Sequence, residues 1–305
     1  MPDFSQTAYL IALLRALESE RDKALFQDPL ARRLAGREGA IMAELLPRKA
    51  PIINAIAIRT RVVDDFIGVL VASAGVDTIL NLAAGLDTRP YRLALPSSLR
   101  WIEVDLPALL TQKEALLQNE QPVCHLQRVT LDLTDIERRR SFFETVNASA
   151  KRVLVLSEGL LGYWSETQVA ALATVLYDQT NFHWWLFELV SAAALPWSAL
   201  PSEQRLLDDY LRSETPSLQF APAQGAVFFQ AYGWDTAHIC SGFEAMRRFK
   251  RLSWWAIFLP LCARSVSPPC FQKLAAAGSI VLLQRQGGVD RLVGGKGVDC
   301  VWPWS

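Results

Sequence analysis

Between residues 76 and 190, short β-branched runs alternate with amphipathic helical stretches, and this alternation limits the possible folds more than any other feature. The runs are "VDTILNLAA", "RWIEVDL", "LQRVTLDL", "RVLVLSE" and "HWWLFELV". Helical patterns fill 107–120, 135–147 and 165–179 between them, the last opened by a Ser165-x-x-Gln168 capping box. Strand, helix, strand repeated in this way predicts an α/β protein with a doubly wound, mostly parallel sheet. Ligands of such sheets bind beyond the carboxyl ends of the strands, where the strand order reverses.

The flanks differ in texture. "TAYLIALLRALESERDKALF" places Leu10, Leu13, Leu14 and Leu17 on one helical stripe. Short helical pieces follow at 29–36 and 39–46, then a longer helix, "PIINAIAIRTRVVDDFIGVLVASAG", which Gly75 stops. "FQAYGWDTAHI" and "GSIVLLQR" read as closing strands. The expected organisation is one domain over 1–286. It comprises a helical N-terminal cap (1–75), a cofactor-binding core (76–190), a lid-like insertion (191–235) and closing strands (236–286). An irregular, glycine-rich tail (287–305) follows.

Composition removes several classes of function. Of the 305 residues 51% are hydrophobic, enough for an enzyme-sized core. Thirty-one Lys and Arg balance 31 Asp and Glu, so no net field favours nucleic acid or an anionic membrane. The runs "RRR" at 138–140 and "RRFKR" at 247–251 read as solvated helix faces. Five scattered cysteines without a C-x-x-C pair fit a reducing compartment, with neither a disulfide framework nor a zinc site. His125, His183 and His238 are not spaced to share a metal. No basic leader precedes the apolar stretch at 8–17, and "WWAIFLPLCA" at 254–263 is about half a membrane span. A cytoplasmic protein is expected.

Acidic residues collect at the strand ends. The first strand runs into the turn "NLAAGLDTRPYRL" with Asp87, the second ends at Asp105, the third at Asp132 and the fourth at Glu158. One such acid is commonly a helix N-cap; four on consecutive strands point to a ligand. Asp105 lies twenty residues after Gly85, the offset at which an acid meets a ribose hydroxyl pair. The turn Ala83-Ala84-Gly85-Leu86-Asp87 lacks the glycines that a pyrophosphate needs and sets a carboxylate in its place. A nucleoside joined to a cationic amino acid, as in S-adenosylmethionine, suits it better. Asp132 would then accept from the adenine amino group and Glu158 would pair with the ligand's ammonium.

"NLAAGLDTRPYRL", "EVDLPALLTQK", "LDLTD" and "SEGLLGYW" resemble the successive motifs of the leucine carboxyl methyltransferase family. "ALESERDKALFQDPLARRLAG" and "IRTRVVDDFI" resemble the N-terminal signatures of its bacterial branch, small-molecule O-methyltransferases linked to polyketide pathways. The likeness runs from about residue 7 to 285. It implies a Rossmann-like class I methyltransferase fold, S-adenosyl-L-methionine as cofactor and a small-molecule methyl acceptor. Carried over by position, Asp105 would bind the ribose, Asp132 and the Leu133 backbone the adenine, and Glu158 the methionine amine. Arg59 or Arg61 of "RTR" would clamp the methionine carboxylate, with Arg59 preferred because Asp64 and Asp65 stand ready to pair with Arg61. The family usually has glycine at the first small position of the turn. Ala83 is tolerable there if its φ stays negative, though it narrows the approach of the methionine moiety.

Methyl transfer to a carboxylate needs little more than positioning, whereas a hydroxyl acceptor needs a base. His183 and His238 are the histidines to consider for that role, and Tyr163 is placed to line the acceptor side. Nine of the ten tryptophans lie after residue 150, and any that line the insertion would suit a bulky apolar acceptor. Two alternatives stand beside this reading. An NAD(P)-dependent oxidoreductase shares the strand pattern, but the chain has one turn glycine and no Tyr-x-x-x-Lys pair at Tyr163 or Tyr177. A non-catalytic nucleoside-binding protein of the same fold is the other.

Overall fold

The computed structural model describes residues 5–45, 51–190, 218–251 and 278–287. Its centre is a seven-stranded sheet of β1 (Thr78–Leu82), β2 (Arg100–Asp105), β3 (His125–Thr130), β4 (Val153–Ser157), β5 (Phe182–Leu189), β6 (Trp234–Ser241) and β7 (Ser279–Arg285). The strand order is β3-β2-β1-β4-β5-β7-β6, and β7 runs antiparallel to both of its neighbours. Strand order reverses between β1 and β4, which pair in parallel. Every residue of these two strands is buried, as expected of strands covered on both faces, while the edge strand β3 alternates between exposed and half-buried positions.

Helices cover both faces. On one lie α6 (Ile136–Ser149) and α7 (Glu166–Tyr177), packed through Phe143, Val169 and Leu172 onto Leu80, Val155 and Trp185. On the other, α3 (Pro51–Ser73) lays Val63, Phe66 and Leu70 against Ile79, Trp101, Leu154 and Trp184. Trp184 and Trp185 are consecutive on β5 and so serve opposite cores, both fully buried. A third cluster joins α1 (Ser5–Ser19), α2 (Ala31–Leu45), the start of α3 and α5 (Pro107–Leu117) through Leu13, Leu34, Ile53 and Leu109. Gly36, at φ 58 and ψ −149, breaks α2 in two, matching the two short helical pieces expected there. The capping box at the head of α7 is present, with Ser165 and Gln168 bonding each other's backbone.

The stretch "FQAYGWDTAHI" is only half a strand. Residues Gly225–Tyr232 form a 3₁₀ helix that buries Phe228 and Phe229, and β6 begins after it at Trp234. Aromatic residues suit a strand, but here they fill the core beside Trp185 and Phe187 from a helical backbone. Most of the expected insertion, residues 191–217, and the tail from 288 onward lie outside the described residues, as does the apolar run at 254–263. Among the described residues no helix is long and apolar enough to cross a membrane, and no group of His, Cys, Asp and Glu could hold a metal ion.

Gly233 makes the switch from 3₁₀ helix to strand at φ 87, and a Cβ there would stand 2.4 Å from the Tyr177 ring. Gly233→Ala should therefore destabilise by about 2–4 kcal/mol in urea unfolding. The added change Tyr177→Leu should recover the steric part of that loss.

Candidate functional site

At the switch point, the ends of β1 and β4 open into a cavity of about 470 Å³ roofed by the N-terminal helices. Thr7, Ala8, Leu10 and Ile11 of α1 and Ile52, Ile56 and Arg59 of α3 form the roof. The floor carries Ala83, Gly85, Asp87, Asp105, Asp132, Leu133, Glu158 and Tyr163, so nearly all of the residues singled out from the sequence meet there. Arg61 does not. Its Nε donates to Asp65 at 2.9 Å and its Nη1 to the Leu25 carbonyl at 2.9 Å, and it does not line the cavity. His183 and His238 are absent from the wall: His183 packs on Trp184, and His238 meets the Phe66 ring edge-on.

The turn after β1 is tightly built. Ala83 has φ 54 and Gly85 φ 52, so the negative angle that would make Ala83 free of strain is not met. The turn rises steeply out of β1, its Ala84 N–H bonding the Val104 carbonyl, and Ala83 takes the left-handed conformation that glycine adopts without strain. Asp105 holds the turn from the next strand, with Oδ2 accepting from Gly85 N at 2.6 Å and Oδ1 from Leu106 N at 2.7 Å. Burial pushes the Asp105 carboxyl above its ordinary range, with these two N–H groups working the other way.

Beneath the turn lies a charge cluster that strand-end reasoning missed. Arg89 is buried, and its guanidinium reaches three carboxylates on three elements. It donates to Asp64 of α3 at 2.6 Å and to Asp87 of the turn at 3.1 Å, and it pairs with Glu158 at the end of β4. Burial opposes charge on Arg89, yet Asp87, Glu158 and Asp64 outweigh it and raise its pKa further. Burial likewise disfavours the Asp87 anion, but Arg89, with Lys113, Arg15 and Arg92 behind it, holds this carboxyl well below the usual range. Asn81 adds a bond to Asp87 at 2.9 Å. Arg15 of α1 ties the roof to the turn through the Leu86 carbonyl at 2.6 Å and Asp28 at 2.8 Å.

Arg59 spans the opening above. Its Nη1 donates to Glu188, at the end of β5, at 2.7 Å, and its Nε lies 3.2 Å from Glu158. That Nε is buried yet not aligned to donate to any acceptor. Glu188 also accepts from the Gly159 N–H at 2.8 Å. This is a fifth acid at the end of a strand, and it stands inside the apolar run "WLFELV" rather than after it. Asp132 accepts from Thr134 N at 2.8 Å, and Arg139, stacked on Trp164, fixes the Leu133 carbonyl at 2.7 Å. Tyr163 is mostly buried, and burial with the nearby Glu188 charge raises its pKa, so it stays a neutral hydroxyl.

Two outcomes follow from the turn. Ala83→Gly should stabilise the fold by about 1 kcal/mol and Gly85→Ala should destabilise it by about as much, both read by urea unfolding. Because the Asp87 pKa is depressed on folding, its contribution is complete above the unfolded value of about 3.9 and is lost as pH falls through the folded one. The stability gap between the wild type and Asp87→Asn should thus be full at pH 5–7 and shrink below about pH 4.

Residues 8–176 match the leucine carboxyl methyltransferase family. A Streptomyces coelicolor protein is 34% identical over 186 residues, 57% of this chain and 64% of its own. One from Saccharopolyspora erythraea is 29% identical over 300 residues, 92% of this chain and 94% of its own. Both are named, provisionally, as S-adenosyl-L-methionine-dependent methyltransferases. The matched stretch spans less than two thirds of the Streptomyces coelicolor and Parafrankia relatives. A solved structure from Thermobifida fusca YX, likewise provisionally named a methyltransferase, covers 94% of this chain at 16% identity with a TM-score of 0.55. It shares the Rossmann-like α/β fold seen here. With the family match extending over more than half its length, the chain belongs to the leucine carboxyl methyltransferase family.

Proposed function

We propose that this protein is an S-adenosyl-L-methionine-dependent O-methyltransferase acting on a small, apolar acceptor. The observation that carries the reading is the charge of the switch-point cavity. Among the described residues its wall holds five carboxylates (Asp87, Asp105, Asp132, Glu158, Glu188) and three guanidinium groups (Arg15, Arg59, Arg89). Behind the wall, Asp28, Asp64 and Glu103 are matched by Arg92, Lys113 and Arg128, so the second layer does not reverse the sign. A cavity with surplus negative charge suits a cationic nucleoside and repels a pyrophosphate. The helix after the turn, α4 (Arg89–Arg92), is only four residues long, which removes the helix N-terminus that dinucleotide sites use. Both points weigh against an NAD(P) oxidoreductase.

The residues fit the cofactor by type. Arg59, with its orphaned Nε, would clamp the methionine carboxylate in a fork-to-carboxylate pair. Glu158 would take the ammonium, Asp105 the ribose hydroxyls, and Asp132 with the Leu133 backbone the adenine. When bound, the cofactor supplies a sulfonium methyl group open to in-line displacement. The protein's own work is to orient an acceptor oxygen and exclude water. Leu160, Trp164, Val190 and Leu218 supply an apolar wall for the acceptor, and the neutral Tyr163 hydroxyl can donate to its oxygen. The names of the curated relatives support the same cofactor.

S-adenosylmethionine or S-adenosylhomocysteine at about a hundred times its Kd should stabilise the fold by about 2.7 kcal/mol in a thermal shift, while NAD and NADP leave it unmoved. A shift with NAD alone would refute the reading. Glu158→Gln should bind S-adenosylmethionine several-fold more weakly and adenosine nearly as before, since adenosine has no amino-acid tail. Equal loss of both would mean that Glu158 shapes the pocket rather than reading the tail.

A further inference from the structure

Arg89 and Arg139 are buried to the same extent, each 3% exposed, yet their surroundings act on them in opposite directions. Arg89 has three carboxylates and is held firmly cationic. Arg139, on α6, has no carboxylate within ion-pair reach among the described residues. Burial and the neighbouring Arg140 both work against its charge and lower its pKa. Its partners are neutral. Nη1 donates to the Leu133 carbonyl at 2.7 Å, the guanidinium carbon lies 5.8 Å from the centre of the Trp164 ring, and the buried Nε has no acceptor. A guanidinium kept from water on such terms costs the fold stability, and an apolar side chain would fill the same space at less cost.

Both partners of Arg139 lie in the cavity wall, although Arg139 itself does not. Leu133 belongs to the loop after β3, and Trp164 follows the 3₁₀ turn Leu161–Tyr163 beyond β4. The peptide joining Leu133 to Thr134 is gripped on both sides, its N–H by the Asp132 carboxylate at 2.8 Å and its C=O by Arg139. A peptide plane fixed in this way fixes the backbone of Leu133, and the same guanidinium steadies the Trp164 ring through its face. We propose that Arg139 is a positioning residue that fixes the cavity wall between its nucleoside and acceptor ends, and does so at a cost to the fold. The inference rests on the cofactor reading above, which assigns adenine to Asp132 and Leu133. It gives a reason for a buried cation that no acid answers.

Calorimetric titration of adenosine, set beside urea unfolding, tests it in the wild type, Arg139→Met and Arg139→Lys without any acceptor. Arg139→Met, similar in reach but uncharged, should unfold at a urea concentration equal to or above that of the wild type and bind adenosine about tenfold more weakly. Arg139→Lys keeps a cationic donor for the Leu133 carbonyl and should recover most of that affinity. A purely structural tie could not move stability and affinity apart in this way. Unchanged adenosine affinity in Arg139→Met overturns the inference, and so does an Arg139→Met chain that fails to fold or unfolds at clearly lower urea. Arg139→Lys binding no better than Arg139→Met overturns it as well. A wild type that binds neither adenosine nor S-adenosylmethionine overturns the cofactor reading itself and the inference with it.

Discussion

The site depends on a single buried guanidinium. Arg89 sits at the base of the crevice and joins α3, the turn after β1 and the end of β4 through Asp64, Asp87 and Glu158. A buried arginine is tolerable only when its charge is met and its N–H groups are occupied, and here three elements distant in sequence meet that demand. Removing one of these acids leaves Arg89 the other two but loses a buried, charge-assisted hydrogen bond, at a cost of about 1.5–3 kcal/mol. The N-terminal helices are consequently held to the sheet by the same charges that shape the floor of the cavity. Roof and floor form one structural unit.

Much of this architecture is legible in the sequence because it is local. Each central strand is a continuous apolar run, each crossover helix has its stripe, and Ser165 and Gln168 sit three apart as a capping box demands. Acids at strand ends are legible for the same reason, since the fold brings successive strand ends to one crevice. Glu188 obeys that rule and is hidden only by standing inside the run "WLFELV". Arg89 and Asp64 were beyond reach, because a guanidinium's partners 25 and 69 residues away leave no periodic trace. Arg61 shows the converse. Its pair with Asp65 is a local i,i+4 contact, and the local contact prevailed.

Two departures have physical causes that composition does not record. The φ of Ala83 is imposed by the turn, whose next residue must bond back to Val104 across the sheet, and a methyl group there is carried at the expense of stability. The 3₁₀ helix Gly225–Tyr232 is written in residues that favour strands, Val227, Phe228, Phe229 and Tyr232. Tertiary packing overrides that preference, because Phe229 is wanted edge-on to Trp185 and Gly233 gives the chain a left-handed exit into β6.

The division of labour in the cavity follows from the same physics. Charge comes from the strand ends, where backbone N–H groups and buried arginines hold each carboxylate in one place. Apolar cover comes from α1 and α3, whose side chains are packed into the N-terminal core and reach the cavity from above. The proposed displacement at a cationic centre would need both, because a fixed field is strong only where water is absent, and an apolar roof alone would bind a sulfonium poorly. Arg59 belongs to the roof and Glu158 to the floor, so the 3.2 Å contact between them is where the two halves meet. On the proposed reading, the cofactor's carboxylate and ammonium would enter that contact, the carboxylate at Arg59 and the ammonium at Glu158, so that binding joins roof and floor through the ligand.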